Sequence, residues 1–154
     1  MVRRQNVQLR SGVQSDVYFD IKASFGRPDL LAAYGQGLAD LLSADVTAVA
    51  GLGAGGHALA TAVSLQAQLP LVIVRGQPRS HGLARQIEGY QPGSDDQVAV
   101  VDDVLTTGSS LERTVAILMT LTPARVTDFA VVVRRPPPDY LPYVKALLRA
   151  ADFQ

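Results

Sequence analysis

The chain has 154 residues, with 14 basic and 14 acidic side chains and no cysteine. This length suits a single domain, and a hydrophobic content of 47% is enough to build a buried core. The balanced charge provides no field that would attract nucleic acid or an acidic membrane surface. The absence of cysteine excludes disulfide scaffolds, thiolate nucleophiles and cysteine-ligated metals. No apolar run approaches the roughly 20 residues that span a bilayer, and residues 1–10 lack the apolar centre of a signal peptide, so we expect a cytoplasmic protein.

The first clear element in chain order is a helix from Pro28 to about Ser43. Pro28 stands where the first turn of a helix accepts proline, and leucines follow at helical spacing. Gly35 and Gly37 lie inside this helix, where each costs about 1 kcal/mol relative to alanine. We therefore expect close packing against another element at these glycines.

From about residue 46 onward, apolar β-rich runs alternate with helical patterns. This alternation predicts an α/β fold with a mostly parallel central sheet flanked by helices. The predicted strands are Val46–Ala50, Leu71–Arg75, Val98–Val101 and Val126–Val133, and the predicted helices are His57–Gln68 and Leu111–Leu121. Residues 76–93 are predicted to form a flexible loop with a short hairpin around Arg85–Gly89, and residues 139–151 a short amphipathic terminal helix after three prolines.

The segment Val98–Ser110, VAVVDDVLTTGSS, contains the densest chemistry of the chain. An apolar strand delivers Asp102 and Asp103 to its carboxyl end, where open α/β sheets bind ligands. Adjacent carboxylates can accept paired hydroxyls or help to hold a divalent ion. The Thr106–Ser110 turn opens a helix, and its N–H groups and hydroxyls can bind a phosphate. A ribose 5-phosphate would satisfy both halves of the segment.

A purely structural interpretation explains part of the same segment. Ser109 can cap the helix, with Glu112 three residues later completing a capping box, and the aspartates can be solvated loop charges. Capping does not explain the paired aspartates or the Thr-Thr-Gly turn.

The same segment closely resembles the phosphoribosyl-pyrophosphate (PRPP) motif of type I phosphoribosyltransferases. Three more stretches, in matching order, are similar to those of orotate phosphoribosyltransferases: Leu9–Asp20, Val49–Gly56 and Val74–Gly82. The resemblance covers residues 9–135 and favours the orotate branch over purine relatives. It implies a type I phosphoribosyltransferase fold in one domain over residues 1–154, with a small N-terminal hood over residues 1–25.

The resemblance also implies a reaction, the transfer of the phosphoribosyl group of PRPP to orotate with release of pyrophosphate. Mg²⁺ would take part, bound mainly through PRPP and near Asp102 and Asp103. The residues assigned to catalysis on this basis are Asp102, Asp103, Arg79 and His81. The residues assigned to PRPP are Arg75, Arg79, His81, Asp102, Asp103, Thr106, Thr107, Gly108, Ser109, Ser110, Gly53, Gly55 and Gly56.

The carboxylate of orotate needs a cation, and the resemblance implies one at the end of the last strand. The residues assigned to orotate are Arg10, Tyr18, Phe19, Thr106 and Arg135. The alternative is that Tyr18 and Phe19 are ordinary strand core and that Arg134 and Arg135 are solvated charges. In the family, the loop that carries Arg79 and His81 closes over the neighbouring subunit's site, which implies a homodimer with shared active sites.

The match departs from the family at several positions. The family's loop reads Arg-Lys, two spacers, Lys, one spacer, His-Gly, whereas this chain has Gly76 and Arg79 in place of the lysines. Arginine and lysine are not interchangeable at such a site. Gly55 also stands where many members have lysine, and no role is assigned to His57 or Glu88. These departures support alternatives: a PRPP- or nucleotide-binding regulator with little or no turnover, or a phosphoribosyltransferase for another base.

A second alternative comes from the glycine cluster Gly51–Gly56. It fits the Gly-x-Gly-x-x-Gly dinucleotide fingerprint between a strand and a helix, and Arg75 could take an NADP 2′-phosphate. This interpretation leaves Val98–Ser110 unexplained and lacks an acidic residue at the end of the second strand.

Overall fold

A computed structural model of the chain describes residues 2–8, 14–78, 85–135 and 143–149, with backbone only for residues 2–8 and 14–19. The elements, in chain order, are β1 (Val2–Gln8), β2 (Gln14–Phe19), α1 (Ile21–Ser24), α2 (Pro28–Leu41), β3 (Ala48–Leu52), α3 (Gly53–Ala67), β4 (Leu71–Val74), β5 (Ile87–Gly89), β6 (Gln97–Leu105), α4 (Ser109–Leu121), β7 (Arg125–Arg134) and β8 (Lys145–Arg149). None of the helices among these residues is long and apolar enough to cross a membrane.

The strands form two sheets. β1 and β2 make a two-stranded antiparallel sheet within the predicted hood segment, and the other six strands lie in the order β5-β4-β3-β6-β7-β8. β5 is antiparallel to β4, and the remaining neighbours are parallel. The predicted α/β architecture with a mostly parallel sheet is confirmed.

Helices cover both faces of the large sheet. Since successive side chains of a strand point to opposite faces, they pack alternately into two apolar clusters. Ala48 and Ala50 of β3 join a cluster with Leu118 of α4. Val49, between them, joins a second cluster with Leu38 of α2 and with α3. Burial on both faces explains why these strands read as continuous apolar runs in the sequence.

The two glycines of α2 lie at close packing contacts, as predicted. A Cβ added to Gly35 would lie 2.8 Å from the Cβ of Ala62 on α3, and one added to Gly37 would lie 3.0 Å from a methyl carbon of Leu147 on β8. The absent side chains therefore let α2 approach both neighbours.

The predicted terminal helix is wrong in the part of its range that the structure describes. Lys145–Arg149 is strand β8, parallel to β7, while residues 139–142, 150 and 151 lie outside the described chain. The local sequence suits a helix, but the free edge of β7 offers backbone partners. Leu147 also packs into the cluster beneath α2. Pairing and burial therefore override local helix propensity.

The predicted loop over residues 76–93 is shorter than expected at its C-terminal side. Ile87–Gly89 forms β5 and pairs with β4, with Ile73 opposite Glu88. Residues 79–84 lie outside the described chain.

Candidate functional site

The paired aspartates lie inside β6, near its carboxyl end. The strand continues to Leu105, beyond the predicted end at Val101, because Asp102 pairs with Val131 and Leu105 with Arg134 of β7. Asp102 and Asp103 are each only 8% exposed. Their interpretation as solvated loop charges is therefore wrong.

Asp102 is an acid whose proton affinity is strongly perturbed by its surroundings. Burial, together with the charge and hydrogen bonding of the Asp103 carboxylate, raises the pKa of Asp102 to about 7. The backbone N–H of Asp103, which donates to Asp102 Oδ1 at 2.9 Å, and the charge of Lys22 act in the opposite direction. Perturbed carboxyls of this kind are typical of functional sites.

Asp103 forms an ion pair with Lys22 of α1, whose Nζ donates to Asp103 Oδ2. The same carboxylate lies against α3, because a Cβ added to Gly55 would lie 2.7 Å from its Cγ and Oδ1. Sequence reasoning missed Lys22, which is 81 positions away from its partner. The only signal was the scarcity of lysine, since Lys22 and Lys145 are the two lysines of the chain.

The glycine cluster forms the corner between β3 and α3. The helix begins at Gly53, four residues before the predicted start at His57, and Gly53 has φ +69°. A Cβ added to Gly51 would lie 2.1 Å from the carbonyl oxygen of Gly56, so the corner has no room for a side chain at position 51. Gly53–Gly56 is thus the first helical turn, whose N–H groups lack intrahelical partners and can face an anion.

His57 has a structural contact one residue beyond this turn. Its Nε2 lies 2.8 Å from the carbonyl oxygen of Val74, which suits the tautomer with a proton on Nε2. The side chain therefore ties α3 to the end of β4, in keeping with the absence of an assigned role.

The hydroxyl-rich turn links β6 to α4. Gly108 is the N-cap residue, with φ +82°, and Ser109 lies in the first helical turn, so the predicted capping box with Ser109 as the cap is wrong. A left-handed backbone at the cap favours glycine over a side-chain cap. Thr107 Oγ1 instead accepts from the N–H of Ser109 at 3.4 Å. The side chains that face solvent around this turn are Thr106, Thr107, Ser109 and Ser110.

Arg75 and Gly76 follow β4 at the neighbouring strand end. The N–H of Arg75 donates to the carbonyl of Gln86 at 2.7 Å, and its buried Nε lies 3.4 Å from Glu88 Oε1 without a hydrogen-bond partner in the described chain. Arg113 of α4 donates from Nη2 to the carbonyl of Gly76. Sequence reasoning gave neither Glu88 nor Arg113 a role, and the structure brings both to the base of the predicted loop.

The residues expected to bind orotate are only partly described. The N–H of Arg135 donates to the carbonyl of Leu105 at 3.0 Å, which brings the end of β7 beside Thr106. Tyr18 and Phe19 lie on β2, but the description of these two residues is limited to the backbone. Arg10, Arg79 and His81 lie outside the described residues.

The acids of the site can be tested against the Mg²⁺ that the resemblance implies. Among the described residues there is no cluster of three or more His, Cys, Asp or Glu side chains that could hold a metal. Asp102 and Asp103 provide two carboxylates, and Mg²⁺ commonly binds one or two carboxylates together with substrate phosphates and water. The two carboxylates fit a metal ion whose other ligands come from PRPP and water.

Comparisons with known proteins identify the family of the chain. The model of the phosphoribosyl transferase domain matches residues 31–147. The orotate phosphoribosyltransferase of Thermococcus gammatolerans is 42% identical over 130 residues, which cover 82% of this chain and 68% of the relative. The enzyme of the same name from Methanocaldococcus jannaschii is 40% identical over 107 residues, covering 70% of this chain and 60% of the relative.

Solved structures of the same kind are also similar. Orotate phosphoribosyltransferase from Aeropyrum pernix has a TM-score of 0.82 and 28% identity, covering 98% of this chain and 89% of that one. The Mycobacterium tuberculosis orotate phosphoribosyltransferase in complex with PRPP has a TM-score of 0.78 and 25% identity, covering 97% of this chain and 90% of that one.

The mostly parallel six-stranded sheet flanked by helices matches the phosphoribosyltransferase fold, and the chain belongs to the phosphoribosyl transferase domain family. The curated relatives lie in the orotate phosphoribosyltransferase branch, and the chain spans 68% and 60% of the length of the two described above. Family membership makes the dinucleotide-fingerprint interpretation of Gly51–Gly56 wrong.

Proposed function

We propose that the chain transfers the phosphoribosyl group of PRPP to orotate, giving orotidine 5′-monophosphate and pyrophosphate. The observation that carries this proposal is the buried Asp102–Asp103 pair. The pair lies between the first turn of α3, Gly53–Gly56, and the hydroxyl-rich turn before α4, Thr106–Ser110. Curated relatives that are 40–42% identical are orotate phosphoribosyltransferases, which supports orotate as the acceptor.

The reaction is a displacement at the anomeric carbon of the ribose. The bond from C1 to the pyrophosphate oxygen breaks with its electron pair leaving on pyrophosphate, while N1 of orotate loses its proton and bonds to C1. Positive charge develops on the ribose in between. Groups that orient the ribose and neutralise the leaving group therefore contribute most to the rate.

Each part of PRPP has a matching part of the site. Asp102 and Asp103 accept the ribose hydroxyls, and Thr106–Ser110 binds the 5-phosphate through N–H and hydroxyl groups. The first turn of α3, Gly53–Gly56, and Arg75 receive the pyrophosphate. Mg²⁺ would be bound mainly through PRPP, near Asp102 and Asp103, and would supply positive charge that neutralises the leaving group.

Orotate completes the site at the other end of the ribose. The proximity of Arg135 to Leu105 supports a position for the orotate carboxylate beside Thr106. Arg10, Tyr18 and Phe19 of the hood cover the base in this proposal, and Arg79 and His81 complete the pyrophosphate pole of a homodimer with shared sites.

The test is a product assay with purified protein, Mg²⁺ and PRPP, using orotate and, separately, a panel of other bases. We expect orotidine 5′-monophosphate and pyrophosphate in equal amounts. Asp102→Asn should lower kcat/KM by about 100-fold, on the scale of losing one transition-state contact. The exposed carboxylate Asp45 provides the matched control, and Asp45→Asn should leave the rate unchanged.

The specific competing function is a PRPP- or nucleotide-binding regulator without turnover. Gly76 and Arg79 favour it, because they replace the lysines of the family's loop. Measurable PRPP binding without nucleotide formation from any base would establish the regulator and refute the transferase. Product from another base, but none from orotate, would correct the acceptor alone.

A further inference from the structure

Two of the phosphate-binding segments of the proposed site follow strands that are not neighbours. Thr106–Ser110 follows β6, whereas Arg75 follows β4, and β3 lies between these strands in the sheet. PRPP carries its 5-phosphate at one end and its pyrophosphate at the other, joined by one ribose. The protein therefore has to hold the two segments at a distance that fits the ribose.

Arg113 makes a direct contact between these two segments. It lies in the second turn of α4, the helix that follows Thr106–Ser110, and its Nη2 donates to the carbonyl oxygen of Gly76, two residues beyond the end of β4. The neighbouring residues Leu111 and Thr114 are buried, which fixes α4 against the sheet. Arg113 therefore ties the segment after β4 to the helix that carries the 5-phosphate turn.

The backbone around Gly76 is suited to this contact. The N–H of Arg75 donates to the carbonyl of Gln86 at 2.7 Å, and Gln86 Nε2 donates to the carbonyl of Arg75 at 3.4 Å, so side chains hold two successive carbonyls. A Cβ added to Gly76 would lie 3.4 Å from Cζ and Nη2 of Arg113. A lysine there, as in the family's loop, would crowd the guanidinium and add a second positive charge beside it. Glycine at position 76 therefore favours the contact with Arg113.

We propose that Arg113 is a positioning residue for PRPP, which holds the segment after β4 at a fixed distance from the 5-phosphate turn. The inference rests on the proposed function for the identity of the ligand. A ligand that bridges two segments binds most tightly when their spacing already matches it, because binding otherwise has to restrict their relative movement. Arg113 touches neither phosphate group in this role, so it strengthens the binding of the whole ligand and not of its halves.

The test compares PRPP with its two halves, ribose 5-phosphate and inorganic pyrophosphate, by isothermal titration calorimetry in Mg²⁺ buffer without orotate. We expect Arg113→Met to weaken PRPP at least about fivefold, while each half stays within about 1.5-fold of the wild type. Loss of a long-range attraction to the Arg113 charge would affect each ligand according to its own charge. The fold loss for PRPP would then be the product of the losses for its halves, so only a larger loss reports the spacing.

Arg125→Met is the matched control. Arg125 is an exposed arginine at the first residue of β7, which places it at the amino-terminal edge of the parallel sheet, away from the site. This variant should bind all three ligands like the wild type. The same excess loss for PRPP in Arg125→Met would overturn the inference, since removal of an arginine remote from the site would then have the same effect.

Two other results would also overturn the inference. A loss for PRPP in Arg113→Met that is no larger than the product of the losses for its halves would show that Arg113 does not set the spacing. Wild-type protein that binds neither PRPP nor its halves would refute the proposed function together with this inference. Wild-type binding of all three ligands without an excess loss in Arg113→Met would refute this inference alone.

Discussion

At the scale of single residues, the site depends on a carboxylate packed against a glycine. Asp103 is oriented from two sides, by the ammonium of Lys22 and by the missing side chain of Gly55. A buried carboxylate with a charged partner has few alternative positions, because leaving that partner would cost free energy. Asp103 is therefore held in one orientation, which would preorganise it for the ribose hydroxyls of the proposed reaction.

This geometry predicts that Gly55→Ala weakens ribose binding. The new Cβ would lie 2.7 Å from Cγ and Oδ1 of Asp103, so the carboxylate has to move away from its bonded position. We expect ribose 5-phosphate to bind at least about tenfold more weakly, which corresponds to about 1.4 kcal/mol, as measured by calorimetry.

Gly26→Ala is the matched control, because its added Cβ would have Ala23 O as its nearest neighbour, at 3.7 Å. It should bind ribose 5-phosphate like the wild type. Wild-type affinity in Gly55→Ala would show that the carboxylate can shift without cost.

At the scale of elements, the contact between α2 and α3 predicts an unusual response to alanine. Replacing a helical glycine with alanine normally gains about 1 kcal/mol. At Gly35 the new Cβ would meet the Cβ and the backbone of Ala62 within 2.9 Å. Overpacking of this kind costs about 1–3 kcal/mol, so we expect Gly35→Ala to lower the free energy of unfolding measured in urea.

Gly37→Ala lies in the same helix and serves as the comparison. Its Cβ would meet the flexible end of Leu147 at 3.0 Å, which can yield more easily than backbone. We expect its stability to stay within about 1 kcal/mol of the wild type. If Gly35→Ala were the more stable variant, the close approach of α2 to α3 would be refuted.

Local sequence patterns were sufficient to predict most helices and strands of the large sheet. Buried strands and α2 have strong apolar patterns, and Val98–Ser110 combines a strand, two acids and a turn within one short segment. These features follow from neighbouring residues, so they can be recognised in sequence. The α/β architecture and the location of the acidic pair were predictable for this reason.

The features that were missed depend on residues far apart in the chain. Lys22 meets Asp103 only after α1 packs beside β6, and no local pattern encodes that pair. Lys145–Arg149 has helical propensity and becomes a strand because the edge of β7 is available. Gly108, rather than Ser109, caps α4 because the turn adopts a left-handed backbone there.

At the scale of the whole molecule, Asp128 joins three parts of the fold. Its Oδ2 accepts from the N–H of Ser43 at 2.6 Å, just after α2, and from Nζ of Lys145 on β8 at 3.0 Å. Asp128 itself is on β7 and is 4% exposed. One carboxylate thus holds the end of α2 and the edge strand β8 against the sheet.

This carboxylate makes stability depend on pH in acid. Burial by itself raises the pKa of Asp128, but the hydrogen bonds and charge from Lys145 and the hydrogen bonds from Ser43 outweigh it, so the net pKa is lowered. A carboxyl with a lowered folded-state pKa contributes stability above its unfolded pKa of about 3.9, and loses it as the pH falls through the folded value.

We therefore expect Asp128→Asn to be less stable than the wild type by about 1–3 kcal/mol at pH 5–7, because Lys145 and Ser43 lose a charged acceptor. The difference should shrink as the pH falls below about 4, because the carboxyl is then protonated in the unfolded wild type and, at lower pH, in the folded protein as well. Urea unfolding at pH 7, 5, 4 and 3 measures both quantities. Asp45→Asn, at an exposed turn, should follow the wild type throughout. A deficit in Asp128→Asn that is the same at pH 3 as at pH 7 would mean that packing, rather than the charge, holds β8 and α2 to the sheet.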